Sequence, residues 1–225
     1  MRRKTVYHAT ENGNALVYVL IAIVLFAALS FTLSRNMSGS NTKEIDAARA
    51  ELYAVELIAY SAQVKSVIDQ MTFTGTRINT LDFTKPGEAG FNTSPHIHKI
   101  FHPQGGGLTS ANLSARIIKE VSTNPEAGWY LGLFNNVEWT KGTGTDVILT
   151  AHQISKAVCL AINDKITNST TIPAISGDLE DYLVDTGTNN EFMAASCADC
   201  EGYVALCVSN NTASTYSFYT IIIDR

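Results

Sequence analysis

Basic residues are scarce in this chain. Charged residues make up 16% of its 225 positions, and the formal net charge is −5. After Arg2, Arg3 and Lys4 no basic run occurs. Without a basic face there is no electrostatic footprint for a nucleic-acid backbone, so no nucleic-acid partner is expected. No Gly-x-Ser-x-Gly turn is present, so the sequence offers no nucleophile elbow. The run Gly105-Gly106-Gly107 is not followed by Lys-Ser or Lys-Thr, which excludes a phosphate-binding loop and leaves a tight backbone turn. No cysteine precedes Cys159, and no proline precedes Pro86. Nothing of that kind interrupts helix formation in the first third of the chain.

What the first third does contain is a long apolar run. Residues 15–33 carry no charge and no proline, and only Ser30 and Thr32 bear small aliphatic hydroxyls. As a helix they would reach ~28 Å, close to the thickness of a bilayer's hydrocarbon core. The segment reads in three ways: a cleaved secretory signal, a plain membrane anchor, or a prepilin-type segment whose helix stays on the mature protein. It is longer than the apolar core of most secretory signals. The basic residues before it place the N-terminus in the cytoplasm and the bulk of the chain outside.

The leader Met1 to Gly13, with its basic residues, its terminal glycine and the apolar run behind it, resembles the N-terminus of type IV pilins and pseudopilins. The resemblance implies cleavage by a prepilin peptidase between Gly13 and Asn14. Members of that family usually carry glutamate at the fifth mature position, where it neutralises a neighbouring subunit's N-terminal ammonium. This chain has Tyr18 there. Certain minor pseudopilins at filament tips lack the acid, so the resemblance implies a minor or tip-type subunit. Three further segments look like parts of bacterial prepilin-like proteins, without supplying an activity. They are His102-Pro103-Gln104-Gly105-Gly106-Gly107, Ala157-Val158-Cys159-Leu160-Ala161-Ile162-Asn163 and the closing Phe218 to Arg225.

The expected organisation is a leader over 1–13, a transmembrane helix over 14–35, an amphipathic helix over 36–71 and an exported globular domain over 72–225. In the amphipathic stretch Ile45, Ala48, Leu52, Val55, Ala59 and Ala62 recur at helical spacing, and Leu57, Ile58, Val64, Val67 and Ile68 broaden the apolar face, which is expected to pack on the globular domain. Strands are expected near 96–101, 129–134, 146–150, 203–208 and 215–223, a helix over 152–166, and a loop over 170–185. The fold class is α+β. A long N-terminal helix packs on a small, mainly antiparallel sheet, which is the pilin-like architecture.

Cys159, Cys197, Cys200 and Cys207 all lie in the last third. In an exported domain two disulfides are the default, and four cysteines allow three pairings. The reading leans to Cys159–Cys207 with a local Cys197–Cys200 link. Cys197-Ala198-Asp199-Cys200 also has the spacing of zinc and redox motifs, but no βαβ setting surrounds it. His96, His98 and His102 are the metal candidates: on a strand, His96 and His98 would share a face, and His152 could join them. Ordinary surface histidines explain them as well, and no cofactor is expected. The sequence as a whole points to assembly with other pilin or pseudopilin subunits in the inner membrane and the periplasm or an extracellular filament. It does not point to an enzyme. The alternative is a single-pass anchored periplasmic binding domain outside any filament.

Overall fold

A computed structural model describes residues 23, 24, 46–184, 187 and 189–225. The chain divides into two compact units, Met1–Lys43 and Glu44–Arg225. Of the first, Ile23 and Val24 are helical and exposed. The leader, Gly13, Asn14, Tyr18 and the rest of the expected membrane helix lie outside the described residues. Among the described residues no helix is long and apolar enough to cross a membrane.

The second unit is α+β. It opens with helix α1 (Ala47–Phe73), which starts where Asp46 accepts the backbone N–H of Arg49 at 2.9 Å. This side-chain cap satisfies one of the first turn's orphan donors. Strands β1 (Gly128–Asn135) and β2 (Asp146–His152) follow. Then come helix α2 (Lys156–Thr167), the two-residue strand β3 (Ala174–Ile175) and the short helix α3 (Glu180–Leu183). Strands β4 (Ala205–Asn210) and β5 (Tyr216–Ile223) close the chain as a hairpin. The sheet order is β1-β2-β5-β4-β3. Three pairings are antiparallel and the short β3–β4 pairing is parallel, so the sheet is mixed.

Both faces of the sheet are buried, so β2 is buried at every position, its polar Asp146, Thr150 and His152 included. Val147, Leu149 and Ala151 face one core together with Cys207, Phe218 and Ile222, and α1 and α2 cover it. Ile148, Leu206, Val208, Tyr219 and Ile221 face the other, beneath α3, Phe192 and the Cys197–Cys200 turn.

Several expectations change. The stripe that packs α1 into the domain is Ala50, Ala54, Leu57, Ser61, Val64, Ile68 and Met71. Leu57, Val64 and Ile68 of the expected apolar face are among them, whereas its stripe through Leu52 and Val55 lies on the opposite side, Leu52 66% and Val55 50% exposed. Both stripes alternate three and four residues, so period alone cannot rank them. The one with Leu57, Val64, Ile68 and Met71 removes more apolar area from water than the alanine-rich one. The helix expected over 152–166 starts later, because β2 runs on to His152 and Gln153 adopts a left-handed φ of 60°. The expected loop over 170–185 contains β3 and α3. Residues 96–101 form turns rather than a strand.

Candidate functional site

The histidine-bearing loop is held from within by a lysine. Lys99 is buried, and its ammonium donates to the carbonyls of Gly90, Phe91 (2.9 Å) and Thr93 (2.5 Å). An ammonium has three donors and no acceptor, so three carbonyls satisfy it fully. The backbone around it is tied to Asp82, whose N–H donates to His98 O and whose carbonyl accepts from Ile100 N–H. The glycine turn then folds back over this knot. A Cβ on Gly106 would stand 2.7 Å from Val67 Cγ1 and 2.8 Å from Met71 Sδ, so the close approach to α1 requires glycine there.

This turn, not a strand, sets the histidines. The ring of His96 stacks on that of His102, with centroids 4.0 Å apart and planes 9° from parallel, and Phe91 lies against His102 at 5.2 Å. Gln104 N–H donates to His102 Nδ1 at 3.1 Å, so that nitrogen is the acceptor of the ring. His102 titrates below the ordinary histidine range, from loss of hydration and then from the charges of His96 and Lys99. A metal binds an imidazole in the ring plane at ~2.0–2.1 Å. Two parallel rings stacked 4 Å apart cannot both meet that distance to one ion. His98 instead lines a cleft of about 340 Å³ with Thr80, Asp82, Thr93 and Ser94. His152 belongs elsewhere: it is buried in β2, its Nδ1 2.9 Å from Ser217 Oγ. Among the described residues no group of three His, Cys, Asp or Glu side chains could hold a metal ion.

All four cysteines are in disulfides. Cys159 of α2 bonds Cys207 of β4, and Cys197 bonds Cys200 within a short turn. All four are buried. A cystine sulfur is not a thiolate, so this pairing offers zinc no ligand, and burial denies an exchanging thiol access to Cys197.

Two amides that the sequence did not single out for a role do much of the joining. Asn163, fully buried in α2, donates to Thr171 O and Cys207 O and accepts from Cys207 N–H, each at 2.8 Å. Its side chain pairs with β4 as a neighbouring strand would. The available signal was an asparagine beside Ile162 on the apolar side of a helix. Gln153 gathers the loop before β1. Its Oε1 accepts from the N–H groups of Val121 and Ser122 (3.0 Å), and its Nε2 donates to Ser122 O and Pro125 O, both at 2.8 Å. Gln153→Leu leaves those four backbone groups without their partner. It is expected to cost about 2 kcal/mol in chemical denaturation and to open residues 119–126 to proteolysis. A variant with wild-type stability and protease resistance would show that water replaces the amide.

Asp146 is a further anchor. Its Oδ2 accepts from Val137 N–H at 3.0 Å and Thr140 Oγ at 3.2 Å, and its Oδ1 from Arg225 N–H at 2.8 Å. Burial nonetheless pushes this carboxyl above its usual range.

These arrangements position backbone and join elements. None brings an activated nucleophile, a general base and an open cleft together. A surface feature that remains is the outward side of α1, where Leu52 and Val55 stand in water, with Phe73 at the last position of the helix exposed as well. Comparison with protein-family models, with curated proteins and with solved structures returns no match.

Proposed function

We propose that the chain is a pilin-like or pseudopilin-like structural subunit of minor or tip type, in a type IV pilus or a type II secretion-like filament. The observation that carries the reading is the outward face of α1. A helix of 27 residues buries one side in its own domain and leaves Leu52 and Val55 exposed on the other. An apolar stripe in water is costly unless something covers it. Other helices of a filament would cover it. The sequence adds the leader ending at Gly13, the new start at Asn14 and the apolar run 15–33, which in this reading leaves lipid to pack against neighbouring subunits. Tyr18, in place of an acid, offers no carboxylate to a neighbour's N-terminal ammonium, so recruitment depends on partner subunits.

Two variants test this. Leu52→Lys with Val55→Lys places two charges on the stripe without touching the buried face. The chain is expected to fold, form both disulfides and reach the membrane, but to disappear from the filament fraction that contains other pilin subunits. Unchanged co-fractionation would remove the support that α1 gives. Tyr18→Glu is expected to raise incorporation; an unaltered level would count against the minor-subunit assignment. An anchored periplasmic domain outside any filament predicts that neither variant changes fractionation.

A further inference from the structure

The two edges of the sheet are finished differently. At the β3 edge, Ala174 and Ile175 cover Ser209 and Asn210 of β4. Beyond them, Asn163 takes both the N–H and the C=O of Cys207. Most of that edge is covered. At the other end stands β1, which among the described residues pairs with β2 alone. Lys85 Nζ donates to the carbonyl of Trp129 at 2.7 Å, which shows that the odd-numbered residues of β1 turn their backbone away from β2. Leu131 and Leu133 share that direction. Among the described residues no hydrogen bond reaches their outward N–H and C=O groups.

Proteins normally blunt such an edge with charge, proline or a bulge. Gly128–Asn135 contains no charged residue and no proline. Lys85 guards one end, and the register shift between Leu133 and Asn135 marks the other. The stretch from Leu131 to Leu133 between them is open.

We propose that this edge pairs with the same edge of a second copy of the chain. The two β1 strands would run antiparallel about a two-fold axis at Gly132 and join the two sheets into one. Three features of the strand favour its own copy over another strand. First, Leu131 falls opposite Leu133 of the second copy, so all the open backbone groups are satisfied in both chains. Second, Gly132 meets Gly132 at the axis, where the two backbones come to ~4.5 Å with no side chain between them; within its own chain the glycine makes room for Phe134, whose Cδ1 would lie 2.6 Å from a Cβ there. Third, Tyr130 falls opposite Phe134 of the second copy on one face, an aromatic cross-strand pair. Trp129 then lies outside the paired core, so Lys85 keeps its bond. With no charge on the strand, like-sign repulsion does not oppose self-pairing. This pairing stands apart from the filament reading and does not rest on it.

The test uses the full chain in detergent micelles over a hundredfold range of protein concentration, with amide hydrogen exchange read residue by residue. The amides of Leu131 and Leu133 are expected to exchange at least tenfold more slowly at high concentration, while those of Tyr130 and Gly132, bonded to β2, stay protected throughout. Leu131→Pro removes an outward donor without touching the β1–β2 ladder, and is expected to abolish the concentration-dependent protection of Leu133. Leu133→Lys, which keeps every backbone donor, is expected to free the Leu131 amide. Exchange at Leu131 and Leu133 that ignores concentration would overturn the proposal. So would association through residues 15–33 alone, which raises the particle mass but leaves these two amides unprotected. Protection that arises only when a different protein is added would also overturn it.

Discussion

Replacing Cys159 and Cys207 together by alanine is expected to lower the unfolding free energy by about 4 kcal/mol, the chain-entropy value for a cross-link spanning 48 residues. The same replacement at Cys197 and Cys200 removes a link across a span of 3 and is expected to cost about 2 kcal/mol. The contrast also has a local basis. Cys159 sits one helical turn before Asn163, and both reach Cys207, so α2 is joined to β4 by a covalent bond and by two hydrogen bonds. Cys197 and Cys200 only brace a turn over the second core. Urea titrations followed by the fluorescence of the buried Trp129 would compare the two double variants. Equal losses would contradict the assignment of Cys159–Cys207 as the main brace.

Acid is expected to weaken the domain through His152. The imidazole is buried between Ser217 and the edge of Tyr130, and burial pushes its pKa down to about 4. In the unfolded chain it returns to ~6.5. The unfolded state therefore binds the extra proton between these values. Stability is fully present above about pH 6.5 and falls as the pH drops toward 4, where the loss levels off. The size follows from the shift: about 2 kcal/mol between pH 7 and pH 5, and about 3 kcal/mol by pH 4. His102 shifts in the same direction, so a variant is needed to separate them. His152→Gln keeps a partner for Ser217 and does not titrate. It is expected to be less stable at pH 7 but to lose most of the slope between pH 7 and 5. An undiminished slope would move the acid sensitivity to the histidine loop.

Much of the fold was legible because its signals are local. The hairpin of β4 and β5 announces itself by β-branched and aromatic runs around Asn210-Asn211-Thr212. α1 announces itself by twenty-seven residues without glycine or proline. Which part of the apolar face of α1 is buried was not legible, since two stripes of equal period lie on it and only the partner surface chooses. Residues 96–101 misled for a related reason. Alternating histidines look like a strand, but Lys99 finds three carbonyls in its own loop, a tertiary arrangement with no sequence period. Gln153 and Asn163 were missed because an amide's role depends on which backbone groups arrive beside it. The Cys159–Cys207 pairing was one of three possibilities until α2 lay on β4.

The filament reading turns on the N-terminus. The most direct test is the intact mass and N-terminal sequence of the chain recovered from membranes of a cell that has a prepilin peptidase. The account predicts a mature chain that begins at Asn14, cut after Gly13, and a full-length chain when the peptidase is deleted. A leader still attached in the presence of the peptidase would contradict it and leave an anchored domain. A start near Phe31 would contradict it as well, because the segment 15–33 would then have been lost as a secretory signal.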